Sequence, residues 1–196
     1  MATYVFLGDS ITDADHLFEP TGLGTGFVAQ IAADRCMQSH TVRNMGHDGF
    51  TSEQIYRKLL RDGVPGTPAV VTLLAGVNDI PVEVYTSHHR IPEEFTAYYE
   101  GILEYLSSRT DARLAVLEPF LFDWPLEYKN WHPYIQEESR IIQQAARRFG
   151  ACFIPTDTLL RREGERLGLD EITVDGIHLT PRGNQILADL WLEAMT

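Results

Sequence analysis

Short apolar segments alternate with longer amphipathic segments along this chain of 196 residues. The short segments have the length and apolar content of β-strands, whereas the longer ones repeat apolar residues at helical spacing. Residues 69–75 are apolar on both faces, which is typical of a central parallel strand covered by helices on both sides. The pattern predicts five strands, at residues 4–7, 41–44, 69–75, 113–118 and 152–154.

Signals for helix boundaries lie between the predicted strands. Thr51 and Gln54 fit a capping box, in which each side chain caps a backbone N–H of the other residue. Pro181 suits the first turn of a helix, and Gly150 suits the end of one. The alternation predicts an α/β fold, an open, doubly wound parallel sheet between helices with right-handed connections. No internal repeat or linker interrupts it, so we expect one domain over residues 1–196.

Composition and charge narrow the class of partner. The net charge of −12 argues against nucleic acid and anionic membranes, because both require a basic protein face. We see no secretory signal before the first strand and no apolar run near the ~20 residues of a membrane span. Cys36 and Cys152 are too few and too far apart for a disulfide framework. We therefore expect a cytoplasmic protein that acts on a small molecule.

Polar motifs follow three of the predicted strands. Gly8-Asp9-Ser10 comes after the first strand, residues 44–49 after the second and residues 76–79 after the third. In open parallel sheets, ligands bind at the carboxyl ends of the strands. We therefore expect these motifs to contribute to one site.

Asp175 and His178 lie three residues apart near the C-terminus. On a single helical turn, this spacing makes the two side chains neighbours, so the carboxylate can orient the imidazole. Together with Ser10, the pair supplies the hydroxyl, base and orienting acid of a serine hydrolase. The alternatives are a helix cap for Ser10 and metal binding for the Asp175–His178 pair.

Two of the strand-end motifs also contain candidate donors for an oxyanion. An ester carbonyl under attack develops negative charge, which hydrogen-bond donors stabilise. Gly46 lets a backbone N–H approach a ligand closely, and the side chain of Asn78 carries a neutral N–H donor. Turns favour glycine and asparagine in any case, so each motif taken alone also fits plain turn chemistry.

These motifs resemble the four sequence blocks of the SGNH (GDSL) hydrolases. The matching residues are Gly8-Asp9-Ser10, Asn44-x-Gly46, Gly76-x-Asn78-Asp79 and Asp175-x-x-His178, in this order and over nearly the whole chain. The part of the chain from Pro119 onward resembles the carbohydrate acetyl esterase side of that family.

The resemblance implies a three-layer, flavodoxin-like fold with a five-stranded parallel sheet between helices. It implies that Ser10 is the nucleophile, that His178 is the base and then the acid, and that Asp175 orients His178. It also implies an oxyanion hole formed by the backbone N–H groups of Ser10 and Gly46 and by the Asn78 amide. No metal or organic cofactor is required for this chemistry.

The long connection at residues 119–132 is rich in aromatic side chains, and long loops often carry function. Trp124 and Trp131 are candidates for the wall of a substrate site, because aromatic rings offer a rigid surface to a sugar ring. The same side chains fit the core or a subunit interface equally well, so self-association into a homo-oligomer is a further expectation.

The sequence therefore predicts a serine esterase for small acyl esters, with an O-acetyl group on a sugar or oligosaccharide as the first candidate. A lysophospholipase or acyl-thioesterase is the alternative within the same chemistry, and it needs an apolar channel for the acyl chain. Two alternatives come from other classes. One is a metal-dependent phosphohydrolase that uses Asp9, Asp13 and His16, and the other is a binding protein without catalysis. We interpret residues 13–16 themselves as a solvated loop.

Overall fold

The computed structural model describes residues 1–196 and contains one sheet of five parallel strands. The strands are β1 (Thr3–Gly8), β2 (Thr41–Gly46), β3 (Val70–Leu74), β4 (Arg113–Leu117) and β5 (Cys152–Ile154). Their order across the sheet is β2-β1-β3-β4-β5. All five predicted strands are confirmed, and no strand end differs from its prediction by more than two residues.

Helices connect the strands and cover both faces of the sheet. They are α1 (Ser10–Asp13), α2 (Phe27–Ala33), α3 (Ser52–Asp62), α4 (Asp79–Tyr85), α5 (Glu93–Arg109), α6 (His132–Phe149), α7 (Thr156–Leu167) and α8 (Pro181–Met195). Short 3₁₀ helices span Leu126–Trp131 and Leu169–Glu171. The capping box of α3 is present, since the Thr51 N–H donates to Gln54 Oε1 at 2.9 Å and the Gln54 N–H donates to Thr51 Oγ1 at 3.4 Å. Gly150 ends α6 in the left-handed region at φ 66°, as predicted.

Apolar side chains alternate along the strands between two cores, one on each face of the sheet. On one face, the Phe6 ring lies 5.8 Å from that of Phe27 in α2 and 5.2 Å from that of Trp191 in α8. On the other face, Val5 and Leu7 belong to the core that α3, α5 and α6 complete. The sheet is therefore the middle of three layers, and the predicted flavodoxin-like fold is confirmed.

The register of the neighbouring strands β2, β1 and β3 brings the polar motifs together. Gly8 at the end of β1 lies opposite Gly46 at the end of β2 and opposite Leu74 at the end of β3. The segments that follow these residues therefore leave the sheet side by side at its carboxyl edge. None of the helices has both the length and the apolar character that crossing a bilayer demands.

Candidate active site

Three side chains from opposite ends of the chain form one line of hydrogen bonds. Ser10 Oγ lies 2.9 Å from His178 Nε2, and His178 Nδ1 lies 2.6 Å from Asp175 Oδ2. An ionised carboxylate only accepts hydrogen bonds, so Nδ1 carries the ring proton and Nε2 is left to accept from the Ser10 hydroxyl. The sequence-predicted trio therefore meets in the geometry that proton transfer from a hydroxyl to an imidazole requires.

Local sequence explains the position of Ser10. Asp9 is the N-cap of α1, and its Oδ1 accepts the backbone N–H of Ile11 at 3.0 Å. Because Asp9 caps the helix, the Ser10 hydroxyl is not used as a cap and can face His178. A β-carbon at Gly8 would clash with the Thr12 side chain, so glycine allows α1 to start directly at the strand end.

The Asp175–His178 segment is a tight loop and not the predicted helical turn. An antiparallel bridge between Thr173 and Leu179 closes the loop at its base. Asp175 Oδ1 accepts the backbone N–H groups of Ile177 at 2.9 Å and His178 at 2.7 Å. The predicted contact between the two side chains is present, but the prediction of a helical turn was wrong because an aspartate side chain can replace helical backbone partners in a turn.

The same hydrogen bonds fix the charge of Asp175. Its partial burial favours the neutral acid, but the hydrogen bonds from the His178 ring and from the two backbone N–H groups outweigh burial and lower the pKa of Asp175 below its ordinary value. Asp175 is therefore ionised at neutral pH and can stabilise a positive charge on His178.

The structure contradicts the prediction that the Gly46 N–H is an oxyanion donor. This N–H is buried and already donates to Asn44 Oδ1 at 2.9 Å. A β-carbon at Gly46 would clash with the backbone of Thr12 and Asp13, so Gly46 allows β2 to pack closely beneath α1. The glycine is required for this close approach, and its N–H is not available to a ligand.

Asn78 lies at the start of α4, half-buried beside the segment that follows β2. One N–H of its side-chain amide donates to the Phe50 carbonyl oxygen at 3.1 Å, which leaves the second N–H without a protein partner. The neighbouring Asp79 is buried and accepts from the Ser52 N–H and hydroxyl, both at 2.8 Å. Asp79 therefore joins the start of α3 to the loop that carries Asn78.

A cavity of about 280 Å³ opens directly onto Ser10 and His178. Its other walls are Asp13, Ala14, Asp15, Leu17, Phe18 and Asp48, and no lysine or arginine lines it. Leu17 and Phe18 are large apolar residues with 74% and 86% of their surface exposed. A larger cavity of about 470 Å³ lies between α6 and α7, but none of the three hydrogen-bonded side chains lines it.

Sequence reasoning missed the apolar pair Leu17–Phe18 and the acidic wall. The available signal was an apolar pair inside a polar loop shortly after the nucleophile candidate. Ala14 and Asp15 adopt left-handed φ angles of 44° and 64°, and this reversal at the end of α1 precedes the apolar pair. A left-handed alanine costs conformational energy and is not readable from sequence.

The two tryptophans proposed as a substrate wall have different environments. Trp131 is 5% exposed and packs in the core, with its ring 4.5 Å from that of Tyr128, so its assignment to substrate binding was wrong. Trp124 is 52% exposed and lines a separate cavity of about 460 Å³. The aromatic connection also touches the Asp175–His178 loop, because the Phe122 N–H donates to the Gly176 carbonyl oxygen at 2.9 Å.

Two of the three residues considered for a metal site, Asp13 and His16, touch each other, but the three do not form one ligand group. Asp9 is the buried cap of α1, whereas Asp13 accepts from the His16 ring at 2.9 Å and from the Asp48 N–H at 2.9 Å. No group of three or more histidine, cysteine or acidic side chains is placed to hold a metal ion together. His16 is buried and Asp15 is exposed, so the prediction of a solvated loop at residues 13–16 is right for Asp15 and wrong for His16.

Comparison with known proteins identifies the family of this chain. The sequence model of the GDSL-like lipase/acylhydrolase family matches residues 6–186, which is most of the chain and includes all four motifs. The chain belongs to this family. It is a carboxylic ester hydrolase of the SGNH (GDSL) type.

Individual proteins are similar to this chain at low sequence identity. The human isoamyl acetate-hydrolyzing esterase 1 homolog is 26% identical over 209 residues, which cover 95% of this chain and 79% of that protein. A crystal structure of a GDSL-like lipase family protein from Parabacteroides merdae has a TM-score of 0.88 at 22% identity and covers 98% and 94% of the two chains. The acetylxylan esterase Axe2 from Geobacillus stearothermophilus has a TM-score of 0.84 at 22% identity, with 98% and 93% covered.

Proposed function

We propose that this hydrolase cleaves small acyl esters by a Ser10–His178–Asp175 triad. The observation that carries the proposal is the unbroken hydrogen-bonded line from Asp175 through His178 to Ser10, which ends at an open cavity. Axe2 supports it by analogy, because two of its structures are catalytic mutants in which an aspartate and, three residues later, a histidine are replaced by alanine. Asp175 and His178 have the same spacing.

The geometry supports a two-step mechanism. Ser10 Oγ attacks the ester carbonyl while His178 Nε2 accepts the hydroxyl proton, and Asp175 stabilises the imidazolium that results. His178 then donates this proton to the leaving alcohol, and an acyl-Ser10 ester remains. A water molecule attacks the acyl-enzyme with His178 again as the base, which releases the carboxylic acid and restores the Ser10 hydroxyl.

For the oxyanion hole we propose the N–H groups of Ser10 and Gly49 and the side chain of Asn78. As the first residue of α1, Ser10 has a backbone N–H without a partner inside the helix. Gly49 replaces Gly46 in this proposal because its N–H makes no hydrogen bond within the protein. Gly49 also lies between Asp48, which lines the cavity, and Phe50, which accepts from Asn78.

Replacement of Asn78 by alanine is expected to lower kcat by about 10²–10³-fold, because one oxyanion donor contributes about 2.7–4 kcal/mol to transition-state stabilisation. KM for a soluble acetate ester should change little, since the charge on the oxygen develops only in the transition state. Steady-state kinetics against wild-type protein measure both parameters.

A structure of the fluorophosphonate adduct of the wild-type protein tests the oxyanion hole independently. We expect the phosphoryl oxygen to lie within about 3.2 Å of the Gly49 nitrogen and the Asn78 amide nitrogen, which is hydrogen-bond distance. An oxygen bound instead to the Gly46 nitrogen, or an unchanged kcat in the Asn78→Ala variant, would contradict the proposed hole.

For the substrate we propose an O-acetyl group on a sugar or another neutral alcohol. Two of the relatives are named for acetyl esters, one of isoamyl alcohol and one of xylan. The cavity at Ser10 is small, and the exposed ring of Phe18 offers a flat apolar surface in its wall. Trp124 exposes a second ring from a segment whose backbone packs against Gly176. We further propose that the protein works in the cytoplasm, where its two free thiols, Cys36 and Cys152, stay reduced.

The wall of the cavity adds a charge preference. Asp13, Asp15 and Asp48 line it without a lysine or arginine, so an anionic acyl or alcohol group would meet like charges. We therefore propose neutral or cationic esters as substrates and expect anionic ones to be excluded.

An assay of the purified protein with a panel of esters tests the acyl length and the charge of the substrate together. We expect kcat/KM to fall at least ~10-fold from acetyl to octanoyl esters, because a small cavity rejects extra methylene groups. We also expect 4-acetoxybenzamide to be cleaved ~10-fold faster than 4-acetoxybenzoate, whose carboxylate approaches the acidic wall.

The control for the charge effect is the Asp15→Asn/Asp48→Asn double variant. In this variant the ratio of the two rates should shrink to the value that the different leaving groups alone produce. Added salt should act in the same direction through screening.

A rate that rises with acyl length would instead favour the lysophospholipase or thioesterase alternative.

A further inference from the structure

Glu138 of α6 is a carboxyl group that the proposed mechanism does not use. Its side chain is fully buried, and neither carboxyl oxygen has a hydrogen-bond partner in the protein. Oε2 lies directly below Gly76, because a β-carbon built on that glycine would come within 2.7 Å of it. Gly76 has a φ of 144°, which other residues rarely adopt. Glu138 therefore packs against the start of the loop that carries Asn78.

Other ionisable groups face Glu138 from three sides. Asp9 follows β1 and has one unpartnered carboxyl oxygen, Asp79 and Glu83 belong to α4, and Tyr99 of α5 has an unpartnered hydroxyl. With Glu138 itself these are five side chains, and four of the five are carboxylic acids. Arg90 lies 4.0 Å from Asp79 Oδ1, but no lysine or arginine is among the charges that shift the pKa of Glu138. Glu138, Asp9 and Asp79 together lie beneath the segments that hold Ser10 and Asn78.

The environment determines which of these acids carry a proton. Burial raises the pKa of Glu138 well above its ordinary value, and the nearby Asp79, Asp9 and Glu83 raise it further. Burial also raises the pKa of Asp9 to about 7 and that of Asp79 to about 6. The carboxylate of Asp79 accepts two hydrogen bonds from Ser52, and that of Asp9 accepts one from the Ile11 N–H. The carboxyl group of Glu138 accepts none. Glu138 is thus the group that retains its proton.

We propose that Glu138 is a positioning residue of the active site, a neutral acid that supports the Gly76–Asp79 loop from below and whose loss of a proton sets the alkaline limit of activity. The inference rests on the proposed role of Asn78, which the same loop carries. An ionised Glu138 would place a further negative charge among Asp9, Asp79 and Glu83 in a region without water access, and this repulsion would displace the loop.

The sign of the stability effect follows from the raised pKa. Below the ordinary pKa of glutamate, about 4.3, Glu138 is neutral in both the folded and the unfolded protein. Above it, the unfolded chain releases the proton while the folded chain keeps it, so stability falls as pH rises until the folded pKa is reached. Glutamine cannot ionise, so a Glu138→Gln variant lacks this loss.

The test compares unfolding of wild-type, Glu138→Gln and Glu138→Met proteins by denaturant between about pH 5 and 9. We expect the unfolding equilibrium constant of wild type, relative to either neutral variant, to increase by up to ~10-fold per pH unit over this range. The matched control is Glu137→Gln, because Glu137 is the neighbouring residue, pairs with Arg140 at the surface and has a lowered pKa. Its variant should not show this trend.

The activity profile separates positioning from a purely structural role. At neutral pH we expect kcat and KM of the Glu138→Gln variant to lie within about twofold of wild type. As the pH is raised above neutral and Glu138 loses its proton, wild type should lose kcat with little change in KM, whereas Glu138→Gln should keep its activity.

Three results would overturn the inference. One is a parallel pH dependence of unfolding for wild type and the neutral variants. Another is an identical alkaline loss of kcat in wild type and Glu138→Gln. The third is failure of both neutral variants to fold, which would mean that the ionised carboxylate is required. The unfolding measurement is independent of ester turnover, so it distinguishes failure of this inference from failure of the proposed esterase site.

Discussion

Replacement of Ser10 by alanine is expected to lower kcat for an acetyl ester by about 10⁴-fold or more, with the fold unchanged. The nucleophile is the one part of a serine hydrolase that no other group replaces, and the loss of such a residue costs up to about 2 × 10⁶ in kcat. The oxyanion hole and substrate binding, which remain, still supply about 10³–10⁴-fold over water. His178 is the only hydrogen-bond partner of the Ser10 hydroxyl within the protein, so removal of the hydroxyl should leave stability near that of wild type.

Initial rates of acetate ester hydrolysis measure this effect, together with thermal unfolding of both proteins. The control is Ser107→Ala, in which an exposed hydroxyl near the end of α5 is removed. That variant should keep wild-type activity. A Ser10→Ala protein with more than about a tenth of wild-type kcat would refute the assignment of Ser10 as nucleophile.

Replacement of Asp175 by asparagine is expected to lower kcat by about 10³–10⁴-fold, with a much smaller effect on KM. The amide keeps an oxygen for the backbone N–H groups of Ile177 and His178, so the loop should persist. Its NH₂ group, however, then faces His178 Nδ1 and can only donate to it. The ring would take the tautomer with the proton on Nε2, which cannot accept a proton from Ser10.

The control for this variant is Asp170→Asn, because Asp170 is an exposed acid in the neighbouring 3₁₀ helix. It should leave kcat unchanged, which would show that the loss does not come from a changed net charge. Equal activity of Asp175→Asn and wild type over the whole pH range would show that Asp175 has no role in orienting His178.

Much of the fold could be predicted from sequence, because it follows from local patterns. The strand β3, which is apolar on both faces, and the capping box at Thr51 each depend only on residues close in sequence. The structure confirms both. The joining of Ser10 to His178 across 168 positions was also predictable once the strand ends were known. Parallel strands place their carboxyl ends at one edge of the sheet, so motifs that follow them come together.

The wrong predictions concern side chains whose partners are distant in sequence. Gly46 has the sequence context of an oxyanion donor, but the Asn44 side chain accepts its N–H. Trp131 lies in a segment as rich in aromatic residues as a binding surface, but it packs against Tyr128 in the core. In both cases a local pattern allows two environments, and only tertiary packing selects one of them.

Glu138 illustrates the same limit in the opposite direction. In the sequence it is one of two adjacent glutamates on an amphipathic helix, and nothing distinguishes it from Glu137. The structure places Glu137 at the surface beside Arg140 and Glu138 under Gly76, because successive residues of a helix face different directions. A shift of one position along the helix thus separates an acid in a surface ion pair from a buried acid beneath the active site.

The most direct test of the account is to identify the residue that a serine-directed fluorophosphonate modifies. Peptide mass spectrometry after a short reaction at neutral pH should find a single adduct, on Ser10. Labelling should disappear in the Ser10→Ala variant and be much slower in Asp175→Asn. An adduct on any other residue, or a protein that stays unlabelled while it cleaves acetate esters, would contradict the proposal that Ser10 is the nucleophile of this hydrolase.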